Sequence, residues 1–482
     1  MSLRQKAIRG AKWSALEKWG AQLVSITIFL LLARLLGAEA FGLVALANVF
    51  MYFMQIFLDQ GFAQAIIQKD ELEPEHLDTA FWTSVLMGLV FLLAVFSGAG
   101  VVANFYSEPE LAPIIRWMSI SFLFAGLSSV QSAILQRNMQ FKIFAARSLV
   151  ATVACGIAGL GSALMGLGIW SLVIKEIVFG FTGAVMLWSS SAWRPRLRFS
   201  PKHFKELFSY GINIIGLNFL SFFNLRSDDM LIGYFLGPVA LGYYSVAYRL
   251  LLIMIKLLTT VTTQVALPTF SRMQEDPERM RKTFYKVTQY TSLVSFPAFI
   301  GMAILAPELI QALFGAEWMP SVPVMRILAF SGILQSVYQF NGTILLSIGK
   351  PSWNLGLQCL SMLCNITVFV FLVHWGIVAV AIGLVIGGYV FSPIPLLLIK
   401  KIIHINLGRY LLQFLPPLIS SAVMAIGLFV MRYTVEDWLL SDTLILVMGV
   451  VLGSLVYVFA LASVSPKLIK EIRNNLFPIP AS

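Results

Sequence analysis

Arg249 and Lys256 stand seven residues apart in an apolar stretch of this 482-residue chain. Seven residues are close to two helical turns, so on a helix both cations project from one face. The surrounding run, residues 239–266, contains no Asp or Glu to neutralise them. Stacked cations of this kind suit a multiply charged anion such as a phosphate or pyrophosphate. The run before it, LNFLSFFNLRSDDMLIGYFLG at 217–237, adds Arg226, Asp228 and Asp229. On a helical wheel at about 100° per residue, Asn213, Asn218, Ser221, Asn224, Asp228 and Asp229 share one arc of about 160°. Arg226 lies just beyond that arc, within i,i+3 reach of Asp229.

Three further helices contribute charge: Glu17 and Lys18, Asp59, and Lys175 and Glu176. The candidate anion-binding cations are therefore Arg226, Arg249, Lys256, Lys18 and Lys175. The acids that could balance them, or take up a coupling H⁺ or Na⁺, are Asp228, Asp229, Glu17, Asp59 and Glu176. Neighbours in sequence point about 100° apart on a helix, so Glu17–Lys18 and Lys175–Glu176 each call for a partner elsewhere. The plainer alternative is a set of internally neutralised pairs that brace a helix bundle.

The elements that must carry these groups follow from composition. Hydrophobic residues make up 58% of the chain and charged residues 12%, with mean hydropathy +0.83. That much apolar surface fits a polytopic membrane protein, each span taking roughly 20 residues. A central Arg or Asp costs roughly 2.5–3.5 kcal/mol on insertion scales. The charged groups must therefore face protein or water. The expected fold is all-α with fourteen transmembrane helices near 13–36, 40–62, 80–104, 112–136, 144–167, 169–190, 207–236, 239–266, 286–314, 322–347, 353–374, 377–399, 410–432 and 440–463. The GLG at 166–168 is the only break dividing the fifth from the sixth.

With both termini cytoplasmic, Lys and Arg gather on the inner side at turn after turn, while the outward ends hold only Arg432. This is the positive-inside pattern, and it accounts for the net charge of +11 without nucleic acid. The stretches LGAEAFGLVALA (36–47) and LGPVALGYYSVA (236–247) share five identities in twelve positions, 200 residues apart. Arg116 and Ser121 recur less closely as Arg326 and Ser331. A repeat after six spans keeps orientation, so it predicts two six-helix lobes related by a pseudo-two-fold axis along the membrane normal. The expected division is an N-terminal lobe at 1–190, a basic cytoplasmic linker at 191–206, a second lobe at 207–400, and two appended helices with a tail at 401–482.

Enzyme signatures are missing. The sequence has no phosphate-cradling Gly loop with Lys and no HExxH, and its outward loops are too short for a reaction centre. His76, His203, His374 and His404 are scattered without ligand spacing, which predicts surface or loop roles and no metal site. Cys155, Cys359 and Cys364 lie in apolar runs and read as small core hydrophobes. The N-terminal apolar run is too long for a secretory signal and reads as a retained first span.

Several stretches carry a family resemblance: WSALEKWGAQ (13–22), LARLLGAEAFGLVALA (32–47), FLDQGFAQAIIQK (57–69), ILQRNMQFKIFAA (134–146), LGPVALGYYSVAYRL (236–250) and LSIGKP (346–351). The chain resembles the polysaccharide transporter family of bacterial flippases, Wzx-like exporters of lipopolysaccharide and colanic-acid type, in the multidrug/oligosaccharidyl-lipid/polysaccharide superfamily. The resemblance implies two lobes around a central cavity, cavity cations that receive pyrophosphate, and no cofactor beyond a coupling H⁺ or Na⁺. Its implied cargo is an undecaprenyl-pyrophosphate-linked oligosaccharide crossing the bacterial inner membrane by alternating access. Implied partners are membrane lipid and the polysaccharide polymerase and chain-length machinery. A cation-coupled multidrug exporter of the same superfamily would favour an acidic cavity, whereas buried cations here are as numerous as acids. A membrane glycosyl polymerase or ligase would need larger outward loops.

Overall fold

The computed structural model describes the backbone of residues 3–59, 61–69, 71–435, 441–466, 468 and 470, and the side chains of these except 3–19, 59, 141, 209–214, 217, 261, 264 and 265. Among the described residues there is no strand. The helices are α1 (Leu3–Asp59), α2 (Phe62–Gln68), α3 (Pro74–Phe105), α4 (Leu111–Met118), α5 (Ile120–Arg137), α6 (Phe141–Leu164), α7 (Trp170–Ser190) and α8 (Pro201–Ser271). They continue as α9 (Pro277–Ile304), α10 (Ala306–Leu313), α11 (Ser321–Ser347), α12 (Pro351–Leu372), α13 (Ile377–Phe391), α14 (Pro393–Ile403), α15 (Leu407–Leu412), α16 (Leu415–Val435) and α17 (Asp442–Val464).

Twelve helical segments among the described residues are long and apolar enough to cross a membrane, which makes this a multi-pass membrane protein. Two of them, Gly20–Leu58 and Asn218–Thr260, have 39 and 43 residues. At 1.5 Å per residue each runs for roughly 60 Å, about twice the hydrocarbon thickness. Each is broken at a glycine with almost the same dihedrals, Gly37 (φ 72°, ψ 176°) and Gly237 (φ 80°, ψ 178°). Only glycine adopts this region without a Cβ penalty. The expected pairs of spans at 13–36 and 40–62, and at 207–236 and 239–266, are thus each two helices that meet at this glycine, where the sequence places the break. The GLG division is present: α6 ends at Leu164, α7 starts at Trp170, and Gly166 and Gly168 both have positive φ. Proline opens α3, α9, α12 and α14, where a missing N–H leaves no helical bond unmade.

The chain divides into two compact units, Met1–Gly242 and Tyr243–Ser482, with the boundary on α8. In the first, α3 and α5 cross so closely that a Cβ on Gly88 would lie 2.7 Å from the Phe122 carbonyl oxygen, and one on Gly126 2.5 Å from that of Ser84. Small residues at a crossing let backbones approach and gain dispersion contacts that lipid cannot supply. The outer face of α3 carries Leu86, Leu89, Leu93 and Phe96 at helical spacing, all exposed, as a surface for acyl chains. In the second unit α16 and α17 pack on α9 and α10, with Leu293, Ile304, Met424, Leu428 and Leu461 in one buried cluster. The Tyr457 hydroxyl donates to the Leu293 carbonyl at 2.7 Å, so a polar handle is satisfied inside that apolar contact.

Residues 191–200 run without helix from α7 to α8 and dock along the start of α3. The Arg196 N–H donates to Asp78 Oδ1 at 3.0 Å and the Ser200 N–H to Thr79 Oγ1 at 3.1 Å. Trp82 Nε1 donates to the Arg196 carbonyl at 2.8 Å. The second turn of α8 then buries Leu207 against Phe62, Ile66 and Phe81. This docking corrects the expected surface role of two histidines. His76 and His203 are 2% and 8% exposed, with ring centroids 4.1 Å apart. Their 127-residue separation in sequence hid a contact made only when the linker folds back. Beside them Lys69 donates to Glu206, and that bond, followed by the one from His76, pushes the Glu206 carboxyl down to about 2.

Candidate functional site

The polar group predicted on the seventh span assembles on α8 against α1. Phe222, Arg226 and Met230 fall at i, i+4 and i+8, so the guanidinium rises from an apolar stripe. Phe222 is buried with Val49 and Ile56, with Phe53, Phe57, Phe223 and Met230 packed around them. Arg226 Nη1 donates to Asp229 Oδ2 at 2.8 Å, the i,i+3 pairing expected from spacing. Its guanidinium also lies 4.9 Å from the centroid of the Tyr52 ring. Asp228 and Asp229 are both buried, and Asp228 Oδ1 accepts the Asp229 N–H at 3.0 Å. A low-dielectric wall strengthens each of these bonds and holds the arginine in one orientation. Next to this cluster Val49, Phe53, Phe105, Phe222, Phe223 and Met230 help line an apolar cavity of about 340 Å³. A fixed cation bordering an apolar groove is the arrangement an amphipathic anion requires: charge on one side, hydrocarbon on the other.

The remaining predicted residues are distributed differently. Arg249 and Lys256 belong to the second unit, on the part of α8 beyond Gly237, and both are exposed. Lys175 and Glu176 do not reach to other elements for a partner as expected. Lys175 Nζ contacts Glu176 Oε1 at 2.6 Å. The i,i+1 rule concerns Cβ directions, and two long side chains can curl back across that angle. The side chains of Glu17, Lys18, Asp59 and Asn213 lie outside the described residues.

Sequence reasoning missed Tyr52, whose ring has no signature distinguishing it from other interfacial tyrosines. It also gave no partner to Arg432, the lone outward cation. Arg432 Nε lies 2.9 Å from Glu308 Oε1, and its Nη1 donates to the Ile304 carbonyl at 3.2 Å. The Glu308 side chain is 8% exposed. The pair therefore clamps α16 to α10 within the second unit. Arg432 is about one-third exposed, so its removal, which leaves the buried Glu308 carboxylate unpaired, costs up to about 3–5 kcal/mol. Arg432→Leu is expected to lower the thermal midpoint in detergent markedly, and Arg432→Leu combined with Glu308→Leu to recover much of the loss. A single variant as stable as the parent would show that the clamp carries no stability.

A family model described as "Polysaccharide biosynthesis protein" matches residues 31–323. Among curated relatives, the teichuronic acid biosynthesis protein TuaB of Bacillus subtilis (strain 168) is 27% identical over 473 residues, covering 97% of each chain. The succinoglycan biosynthesis transport protein ExoT of Rhizobium meliloti (strain 1021) is 29% identical and covers 68% of this chain and 66% of its own. The solved structure of the lipid II flippase MurJ in an inward closed conformation superposes with a TM-score of 0.78 at 16% identity, over 95% of this chain and 99% of that one, so the two share a fold. With more than half of its length matched by the family model, the chain belongs to the polysaccharide biosynthesis protein family.

Proposed function

We propose that this protein is a flippase rather than an enzyme, moving an undecaprenyl-pyrophosphate-linked oligosaccharide across the bacterial inner membrane by alternating access. The observation that carries this reading is the family match, with relatives named for polysaccharide biosynthesis and one named a transport protein. The chemistry of the chain supports it. Charges held on apolar helices suit a cargo whose headgroup is anionic and whose tail stays in hydrocarbon. Arg249 and Lys256 receive the phosphates, with Lys18 and Lys175 as further cations. The Arg226–Asp229 pair with Asp228 shapes the wall beside the apolar groove. These acids, with Glu17, Asp59 and Glu176, offset the cations between cargoes or take up H⁺ or Na⁺ to bias the return. The proposed topology has fourteen spans in two six-helix lobes with two appended helices and both termini in the cytoplasm. The expected partners are membrane lipid and the polymerase and chain-length machinery that use the delivered cargo.

Depleting the protein in its host should make lipid-linked oligosaccharide accumulate on the cytoplasmic leaflet while surface polysaccharide falls, with drug susceptibility unchanged. Normal polysaccharide together with altered drug susceptibility would instead identify a drug exporter, and sugar polymerisation by the purified protein in vitro would identify an enzyme.

A further inference from the structure

The cluster at the head of α3 is not used by the proposed transport chemistry. Glu73 caps that helix, His76 lies in its first turn, and His203 lies in the first turn of α8. Each offers one ligand atom, and the three atoms all lie within 4.8 Å of one another. His203 Nε2 is 3.3 Å from Glu73 Oε2, and His76 Nε2 is 3.2 Å from Glu206 Oε2. Ligand atoms around a tetrahedral ion with bonds of about 2.0–2.2 Å stand about 3.3–3.5 Å apart. Two edges of such a polyhedron are therefore already set.

A further observation points to a ligand. At His76, the Glu73 N–H approaches Nδ1 at 3.2 Å while the Lys69 ammonium lies 2.6 Å from Nε2. A neutral imidazole has a single lone pair and cannot accept from both. One contact must give way, and the ammonium already holds a cation's position between an imidazole nitrogen and the Glu206 carboxylate. Lys69 is on a flexible stem and about one-third exposed, so it can swing into water.

We propose that Glu73, His76 and His203, with Glu206 as a fourth donor, form a site for one divalent cation of the zinc class. Two imidazole nitrogens with carboxylate oxygen suit Zn²⁺, Co²⁺ or Ni²⁺, whereas Mg²⁺ and Ca²⁺ prefer all-oxygen sets. The ion would tie the start of α3 to the start of α8 across 127 residues of chain. That clamp fixes the linker against the first unit whatever the cargo is.

The test uses the full chain in detergent, chelator-treated and then titrated with Co²⁺ and with Zn²⁺ in competition. The expected result is one equivalent bound with the visible absorption of tetrahedral Co²⁺, displaced by Zn²⁺. His203→Gln and Glu73→Gln, each with the parental thermal midpoint in chelator, should weaken binding by more than the roughly 10–100-fold that loss of an outer-shell partner costs. His374→Gln should leave it unchanged. Lys69→Gln should tighten binding several-fold, because the ammonium competes for the same place. Absence of stoichiometric binding, or binding equal in the parent and in His203→Gln, would overturn the assignment.

Discussion

Gly42→Ala should destabilise this protein out of proportion to the single methyl group it adds. A Cβ on Gly42 would lie 1.7 Å from the Pro238 carbonyl oxygen, and one on Gly242 would lie 2.0 Å from that of Ala38. The two contacts are reciprocal. Gly42 and Gly242 occupy the same place in stretches 200 residues apart, as do Ala38 and Pro238. In both cases the obstacle is backbone, so no rotamer change relieves it and the helices must part. Overpacking of this kind costs about 1–3 kcal/mol and occasionally more. The expected outcome is a clear fall in thermal midpoint and in accumulated protein for Gly42→Ala, with Gly242→Ala behaving alike. Gly98→Ala is the control, since a Cβ there meets nothing within 4 Å and adds helix propensity. If Gly42→Ala melts with Gly98→Ala, the crossing is looser than these distances require.

That crossing also shows how far residue patterns carried. The LG motif at 36–37 and 236–237 marked a repeat, and its physical content is a glycine with φ near 75° at each copy, a local backbone demand that leaves a local trace. Apolar runs and GLG were likewise legible because helix length and breakage depend on neighbouring residues. The Arg226–Asp229 pair was legible for the same reason, since i,i+3 spacing is a local property. His76 with His203, Arg432 with Glu308 and Arg226 over Tyr52 were not, because each joins elements whose packing fixes a contact between positions unrelated in sequence. Lys175–Glu176 was misread from a rule about Cβ directions that long side chains can evade.

The remaining large effect concerns Arg249 and Lys256, and it separates cargo binding from bracing. Arg226 is committed to Asp229 and stacked on Tyr52, so Arg226→Ala should lower stability as well as transport. Arg249 and Lys256 are exposed on α8, where a substitution usually changes stability by less than about 0.5 kcal/mol. Their removal should therefore leave the thermal midpoint near the parental value. A hydrogen bond to a charged group contributes about 1.5–3 kcal/mol, and every 1.4 kcal/mol is tenfold. Arg249→Ala and Lys256→Ala should each reduce flipping of a lipid-linked oligosaccharide about tenfold or more, and the double variant about a hundredfold or more. Lys256→Arg should retain most activity, because it keeps the charge. The fold-loss should shrink at high salt, where screening weakens the attraction that the parent makes. Full export by the double variant at normal protein levels would remove both residues from the phosphate site. Loss of folded protein in the same variant would mean that the pair braces the helix instead of meeting the cargo.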